Sequence, residues 1–143
     1  MKKITHKAAS VFLEYCMKEQ IHSLGNTVVY KNKDNCGRTY MYLHGRRIAT
    51  LNTIGKTYSN QQKLRVLRLE FAGKPTRLTR ERLNGILELI EADHRLQQKQ
   101  GVQYYGPCKL GLGLHEFYPY KLDESITTQM RKNENYRHSP RGY

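Results

Sequence analysis

The chain has no tryptophan, three phenylalanines, four prolines and three cysteines in 143 residues, and 12 acidic side chains against 25 basic ones. Each scarcity excludes something. Cys16, Cys36 and Cys108 stand far apart and nothing resembles C-x-x-C. An odd number of thiols without a signal peptide predicts free cysteines in a reducing cytoplasm. No stretch approaches eighteen apolar residues, so no helical membrane span is expected. The basic start "MKKITHKAASVFLEYC" makes a poor signal peptide, because Glu14 interrupts its apolar run. Apolar residues make up 38% of the chain and the mean hydropathy is -0.78. The core must be small relative to the surface, in a chain of about one-domain length.

What is present is tyrosine and positive charge. Eleven tyrosines supply flat apolar rings with polar tips, a side chain suited to surfaces that bind something. The net charge is +13, which favours a polyanionic partner: nucleic acid, an anionic membrane or an acidic protein. General solubility is the plain reading of such a total, but the distribution is uneven. Residues 25–78 carry eleven basic and two acidic side chains, whereas residues 79–101 balance at four against four. A clustered excess in mid-chain points to a contact surface rather than a charged tail.

Hydrophobic periodicity predicts a helix over residues 6–22, with Thr5 as its cap and Ala8, Val11, Phe12 and Tyr15 at helical spacing. From Gly25 the pattern turns to strands: "TVVYK", "RTYMYL", "RRIATLN" and "LRVLRLEF". In the last of these, Leu67, Leu69 and Phe71 alternate with Arg68 and Glu70. A second helix is expected from an N-cap at Thr79, with Leu78 and Leu83 as a hydrophobic staple and Glu81 in the first turn. Its stripe of Leu83, Ile86, Leu87 and Ile90 should be buried, and it should fade near Gln100. "VQYYG" and "LHEFYPY" read as further strands. The expected fold is α+β: an antiparallel sheet of three to five strands, with an N-terminal helix and a second helix packed on one face. Residues 1–121 form a single domain in this reading, and 122–143 a polar, flexible tail.

The stretch "YMYLHGRRIA" carries the sharpest question. His44-Gly45 reads as a two-residue hairpin turn, since Gly accepts positive φ at little cost and His tolerates it. Such a turn pairs Tyr42 with Arg47, Met41 with Ile48 and Tyr40 with Ala49. Met41, Leu43 and Ile48 then face the core, and Tyr40, Tyr42 and Arg47 share the opposite face. Tyrosines beside an arginine can stack nucleobases and hold phosphates, though the same pair can simply stabilise a sheet. His44 as a general base would need an orienting partner and a pocket, and the sequence indicates neither.

Other motifs carry less. His115-Glu116 lacks the second histidine of H-E-x-x-H, because position 119 is Pro119. "GLGL" lacks dinucleotide spacing and "GKPT" lacks a P-loop's upstream glycine. Arg77, Arg80 and Arg82 lie at a helix start, where free N–H groups also attract phosphate, but Glu81 weakens that reading in favour of a solvated first turn. Tyr104-Tyr105 and Tyr118–Tyr120 fit either an aromatic surface or core.

"YLHGRRIA" and "TRERLNGIL" together resemble a pattern in small uncharacterised bacteriophage proteins, "LHGN-x-IA" followed by "T-x-R-RLN". Leu43-His44-Gly45 and Ile48-Ala49 match the first block, with Arg46 where the pattern has Asn. Thr79 and Arg82-Leu83-Asn84 match the second. The likeness spans about residues 25 to 90 and implies a phage context, not a chemistry.

The expected function is therefore that of a small, basic, non-catalytic nucleic-acid-binding protein of phage type, working in the host cytoplasm without cofactor or metal. Its contacts would come from Lys31, Lys33, Arg38, Tyr40, Tyr42, Arg46, Arg47, Lys56, Lys63, Arg65, Arg68, Lys74 and Arg77. A phage protein that inhibits a host defence or transcription complex is the alternative. A metal-dependent nuclease is a further one, but the twelve acids form no recognisable cluster.

Overall fold

The computed structural model describes residues 2–14, 19–32, 38–56, 63–111 and 114–121, with backbone alone for 53–56, 63–65 and 114–121. The expected tail, residues 122–143, lies outside them.

The fold is α+β, with both helices on one face of an antiparallel sheet. Helix α1 (Lys3–Leu13) is followed by strands β1 (Gln20–Leu24), β2 (Thr27–Lys31), β3 (Thr39–Leu43), β4 (Arg46–Lys56) and β5 (Lys63–Glu70). Helix α2 (Arg77–Leu89) leads to three short strands, β6 (Leu96–Lys99), β7 (Val102–Tyr105) and β8 (Cys108–Lys109), and β9 (Leu114–Lys121) returns beside β5. Among the described residues the main sheet has the order β1-β2-β3-β4-β5-β9, six strands rather than three to five, and β6-β7-β8 form a small second sheet.

The extra strand at one edge is β1, which the helical reading of residues 6–22 absorbs. The apolar periodicity that suggests a longer helix stops with α1 at Leu13. The segment "QIHSL" instead pairs along its whole length with β2 through a turn at Gly25-Asn26. Thr5 is not a cap but a buried residue inside the helix.

The two-residue turn at His44-Gly45 is present, with φ of 51° and 77°, values that place both residues in the left-handed region. The His44 N–H donates to the Asn26 carbonyl (2.9 Å), so the β1–β2 and β3–β4 hairpin tips are tied together. Tyr42 pairs with Arg47, but the register then shifts, and Met41 faces Ala49 and Tyr40 faces Thr50. The expected partners Ile48 and Ala49 are thus each displaced by one. A bulge at Ile48 lets consecutive Ile48 and Ala49 both be buried while the two faces stay sorted.

Helix α2 begins one turn earlier than expected. Thr76, following Pro75, is the N-cap, and its hydroxyl accepts from the Thr79 N–H (3.1 Å). Thr79 is buried in the first turn and donates to the Lys74 carbonyl (3.2 Å). The anticipated stripe of Leu83, Ile86, Leu87 and Ile90 is buried. The helix ends at Leu89 rather than near Gln100, because Glu91 takes a left-handed φ of 58° and the Ala92 N–H turns back to the Leu87 carbonyl (2.9 Å). Gln100-Gly101, at φ of 51° and 81°, is another two-residue hairpin turn with both residues left-handed, between β6 and β7.

The core lies between the helices and the sheet. It is built on Phe12, Val29, Met41, Ile48, Leu51, Leu67, Phe71, Leu83, Ile86 and Leu87. Gly85 is where α1 meets α2: a Cβ there would sit 2.5 Å from Thr5 Cγ2 and 3.3 Å from the Thr5 carbonyl. Arg82, buried beside this crossing, donates to the hydroxyls of Thr5 and Thr27 (the latter at 3.0 Å) and meets Glu81 at 3.1 Å. Asn84 brackets β6, donating to the Leu96 carbonyl (2.9 Å) and accepting from its N–H (2.6 Å).

Candidate nucleic-acid interface

With α1 and α2 covering one face, alternation sends the even residues of β2 and β3 to the other. Both strands read buried, half-buried, buried, half-buried, buried. The pairing Tyr30↔Tyr40 and Val28↔Tyr42 then gathers three tyrosines. The rings of Tyr30 and Tyr40 are stacked, with centroids 6.1 Å apart and planes at 14°, and Tyr42 lies 6.3 Å from Tyr40, tilted by 42°. The Arg47 guanidinium sits 5.7 Å from the Tyr40 ring centre and 3.6 Å from the Glu70 carboxylate. Half of the Arg47 side chain remains exposed, so its charge is still available to a ligand.

Beside this row is an open depression of about 340 Å³, lined by Arg38, Tyr40, Arg47, Thr50, Asn52, Arg68 and Glu70. The register explains the gathering, since Tyr40, Thr50 and Arg68 lie side by side on three adjacent strands. Among the described side chains the lining carries three arginines and one carboxylate, Glu70, which is paired with Arg47, and Glu116 stands opposite Arg68 in the β5–β9 register. Among the described residues, Asn52 Oδ1 is a buried side-chain acceptor with no hydrogen-bond partner. Such a group costs about 1–3 kcal/mol unless something donates to it.

Of the expected contact residues, the structure brings together Arg38, Tyr40, Tyr42, Arg47 and Arg68 on this face. Arg46 is exposed at the hairpin tip and Lys74 in the turn after β5. Lys56 pairs with Lys63, and Thr53 with Arg65, at the far end of the β4–β5 ladder, where only the backbone is described. Lys33 lies outside the described residues. Two residues are elsewhere. Lys31 occupies a core-facing position of β2 and is 0% exposed, and its ammonium donates to the carbonyl of Glu14, the residue that closes α1. A buried cation at a helix C-terminus complements the dipole and is not free for phosphate.

Arg77 opens α2 and lines a different groove, of about 480 Å³, on the helix side. The other cations there are committed within the fold. Lys2 meets Glu81 at 3.4 Å. Arg95 donates to the carbonyls of Ala92 (2.8 Å) and His94 (2.9 Å). Arg80 donates to the Pro75 carbonyl (2.7 Å), Gln98 Oε1 (3.0 Å) and Gln103 Oε1 (3.2 Å). Burial, and secondarily the neighbouring Arg77, lower the Arg80 pKa below its usual value.

Sequence reasoning misses Tyr30, Thr50, Asn52 and Ile21. Tyr30 is within its reach, because extending the hairpin register one strand further sets it beside Tyr40. Ile21 pairs with Tyr30 from β1 and is 66% exposed, but the helical reading of that segment hides it. Of the ambiguous aromatics, Tyr105 is core, edge-on to His94 at 5.3 Å, and Tyr104 stands near the Lys99 ammonium at 5.6 Å. The side chains of Tyr118 and Tyr120 are not described.

Among the described residues no three His, Cys, Asp or Glu side chains come together as metal ligands, and no helix is long and apolar enough to cross a membrane. The chain matches no family model, no curated protein and no solved structure. The residues behind the phage resemblance have structural roles here. His44-Gly45 make the turn, Leu43, Ile48 and Ala49 are core, Thr79 anchors the start of α2, Arg82 holds α1 to β2, and Asn84 holds β6.

Proposed function

We propose that this protein binds nucleic acid through the solvent face of its main sheet, acting by occupancy rather than catalysis, in the cytoplasm of a phage-infected cell. One observation carries the reading. Tyr30, Tyr40 and Tyr42 and the guanidinium groups of Arg38, Arg47 and Arg68 lie on the same sheet face, opposite the helices. Rings that stack bases and cations that neutralise phosphates are the two halves of such a surface.

The test is binding of the purified, nuclease-treated protein to short oligonucleotides over a salt series. Affinity should fall steeply with salt. Replacing Arg46 and Arg47 together by alanine should weaken binding to every sequence and flatten the log–log salt slope by roughly 0.9 for each phosphate no longer neutralised. An unchanged affinity and slope in the double variant would sink the assignment.

A second reading, inhibition of a host protein complex, draws on Ile21. An exposed apolar side chain flanking the tyrosine row fits a protein partner better than a phosphate backbone. A stoichiometric host protein that stays bound after nuclease, and is released by Ile21→Glu, would favour it.

A further inference from the structure

The geometry points to an unpaired, single-stranded polynucleotide as the ligand of this face, an inference that rests on the nucleic-acid reading above. Three observations converge. First, the tyrosine rings offer stacking faces, and a duplex already uses its base faces internally. Only splayed, unpaired bases can add to this row, in which Tyr30 already stacks on Tyr40 and the Arg47 guanidinium lies over the Tyr40 ring. Second, the depression beside Tyr40 has about 340 Å³, at the lower end of small-ligand sites, and suits one nucleotide rather than a double helix. Arg38, Arg47 and Arg68 around it can follow the phosphates of one strand entering and leaving.

Third, Asn52 on its wall carries a buried acceptor that has no donor among the described residues. An asparagine amide both donates and accepts, the pattern that reads the edge of a base. Watson–Crick edges are satisfied in a duplex and open in a single strand, so an Asn52 amide turned out toward the depression would meet an unpaired base, and its buried Oδ1 would gain the donor it lacks. A base that leaves its stack rests against Tyr40 and presents its edge to Asn52, while its flanking phosphates meet the arginines.

Fluorescence anisotropy with the full chain tests this. The probes are labelled 12-nucleotide homopolymers of deoxyribose and ribose type, a mixed single strand, and the duplex of that same strand. The expected result is at least tenfold tighter binding of single strands than of the duplex. Tyr40→Leu should weaken single-strand binding about five- to a hundredfold with the salt slope unchanged, and should leave duplex binding as it was. Arg38→Gln should instead flatten the slope for both forms. Because Tyr40 is partly packed, Tyr30→Leu serves as a second variant, and thermal melting shows whether each remains folded.

Two results overturn the inference. Duplex binding equal to or tighter than single-strand binding, insensitive to both tyrosine variants but reduced by Arg38→Gln, would refute the single-strand assignment and leave nucleic-acid binding standing. Absence of salt-dependent binding to any probe, or indifference to both classes of variant, would refute the nucleic-acid reading itself.

Discussion

At the residue scale, one lysine tests whether charge or position makes the interface. Lys31 belongs to the basic mid-chain segment by composition, yet alternation along β2 sends it to the helix side, where it closes α1. Lys31→Met keeps the stem and removes the charge. The Glu14 carbonyl is then left without this donor, so stability should drop by about 1–3 kcal/mol in chemical denaturation. Oligonucleotide affinity and salt slope should stay at the wild-type values. A slope flattened by about 0.9, the mark of one phosphate no longer neutralised, would show that the ammonium reaches the ligand after all.

Among the elements, some announce themselves in the sequence and others do not. Strong alternation makes β3, β4 and β5 legible, and with them most of the candidate face, because period-two patterning and side-chain facing are the same fact. The His44-Gly45 turn is legible for a similar reason, since few residue pairs accept two left-handed conformations. The Ile48 bulge is not, because nothing in "RRIATLN" marks where an extra residue interrupts the ladder. Strand β1 is hidden because a five-residue segment with one exposed isoleucine has little periodicity of its own, and it is a strand only through its pairing with β2. The end of α2 is hidden because Glu91 adopts a conformation usually left to glycine or asparagine. Asn52 becomes visible only when three strands are side by side.

The packing of α1 on α2 can be tested in the same terms. Glycine inside a helix costs roughly 1 kcal/mol relative to alanine, so propensity alone favours Gly85→Ala. The crossing decides otherwise. The new methyl would strike Thr5 Cγ2, and Thr5 cannot turn aside without giving up the hydrogen bond from Arg82. Overpacking of this kind costs about 1–3 kcal/mol, enough to exceed the propensity gain. The midpoint of urea unfolding should fall for Gly85→Ala and recover in part when Thr5→Ser removes the struck methyl. A rise in the midpoint for Gly85→Ala alone would mean the helices have room to separate.

At the scale of the whole molecule, a net charge of +13 on a small core sets stability and binding against each other in salt. Basic side chains outnumber acidic ones by 25 to 12, although ion pairs join Lys2 to Glu81, Arg47 to Glu70 and Arg82 to Glu81. The folded chain therefore holds its cations closer together than the unfolded chain does, and their repulsion opposes folding. The Debye length shortens from about 30 Å at 0.01 M to about 10 Å at 0.1 M salt, which screens exposed charges from one another. Tm should therefore rise by several degrees between low salt and about 0.5 M NaCl, while oligonucleotide affinity falls over the same range. A saturating single strand at low salt should relieve the same repulsion more strongly. Ligand at about a hundred times its Kd adds roughly 2.7 kcal/mol to the folded state. The two stabilising agents should then compete, with the Tm gain from the strand shrinking as salt is added. A Tm that falls with salt in the free protein would instead show that attractive ion pairs outweigh repulsion, and that the positive face is balanced within the fold rather than held open for a polyanion.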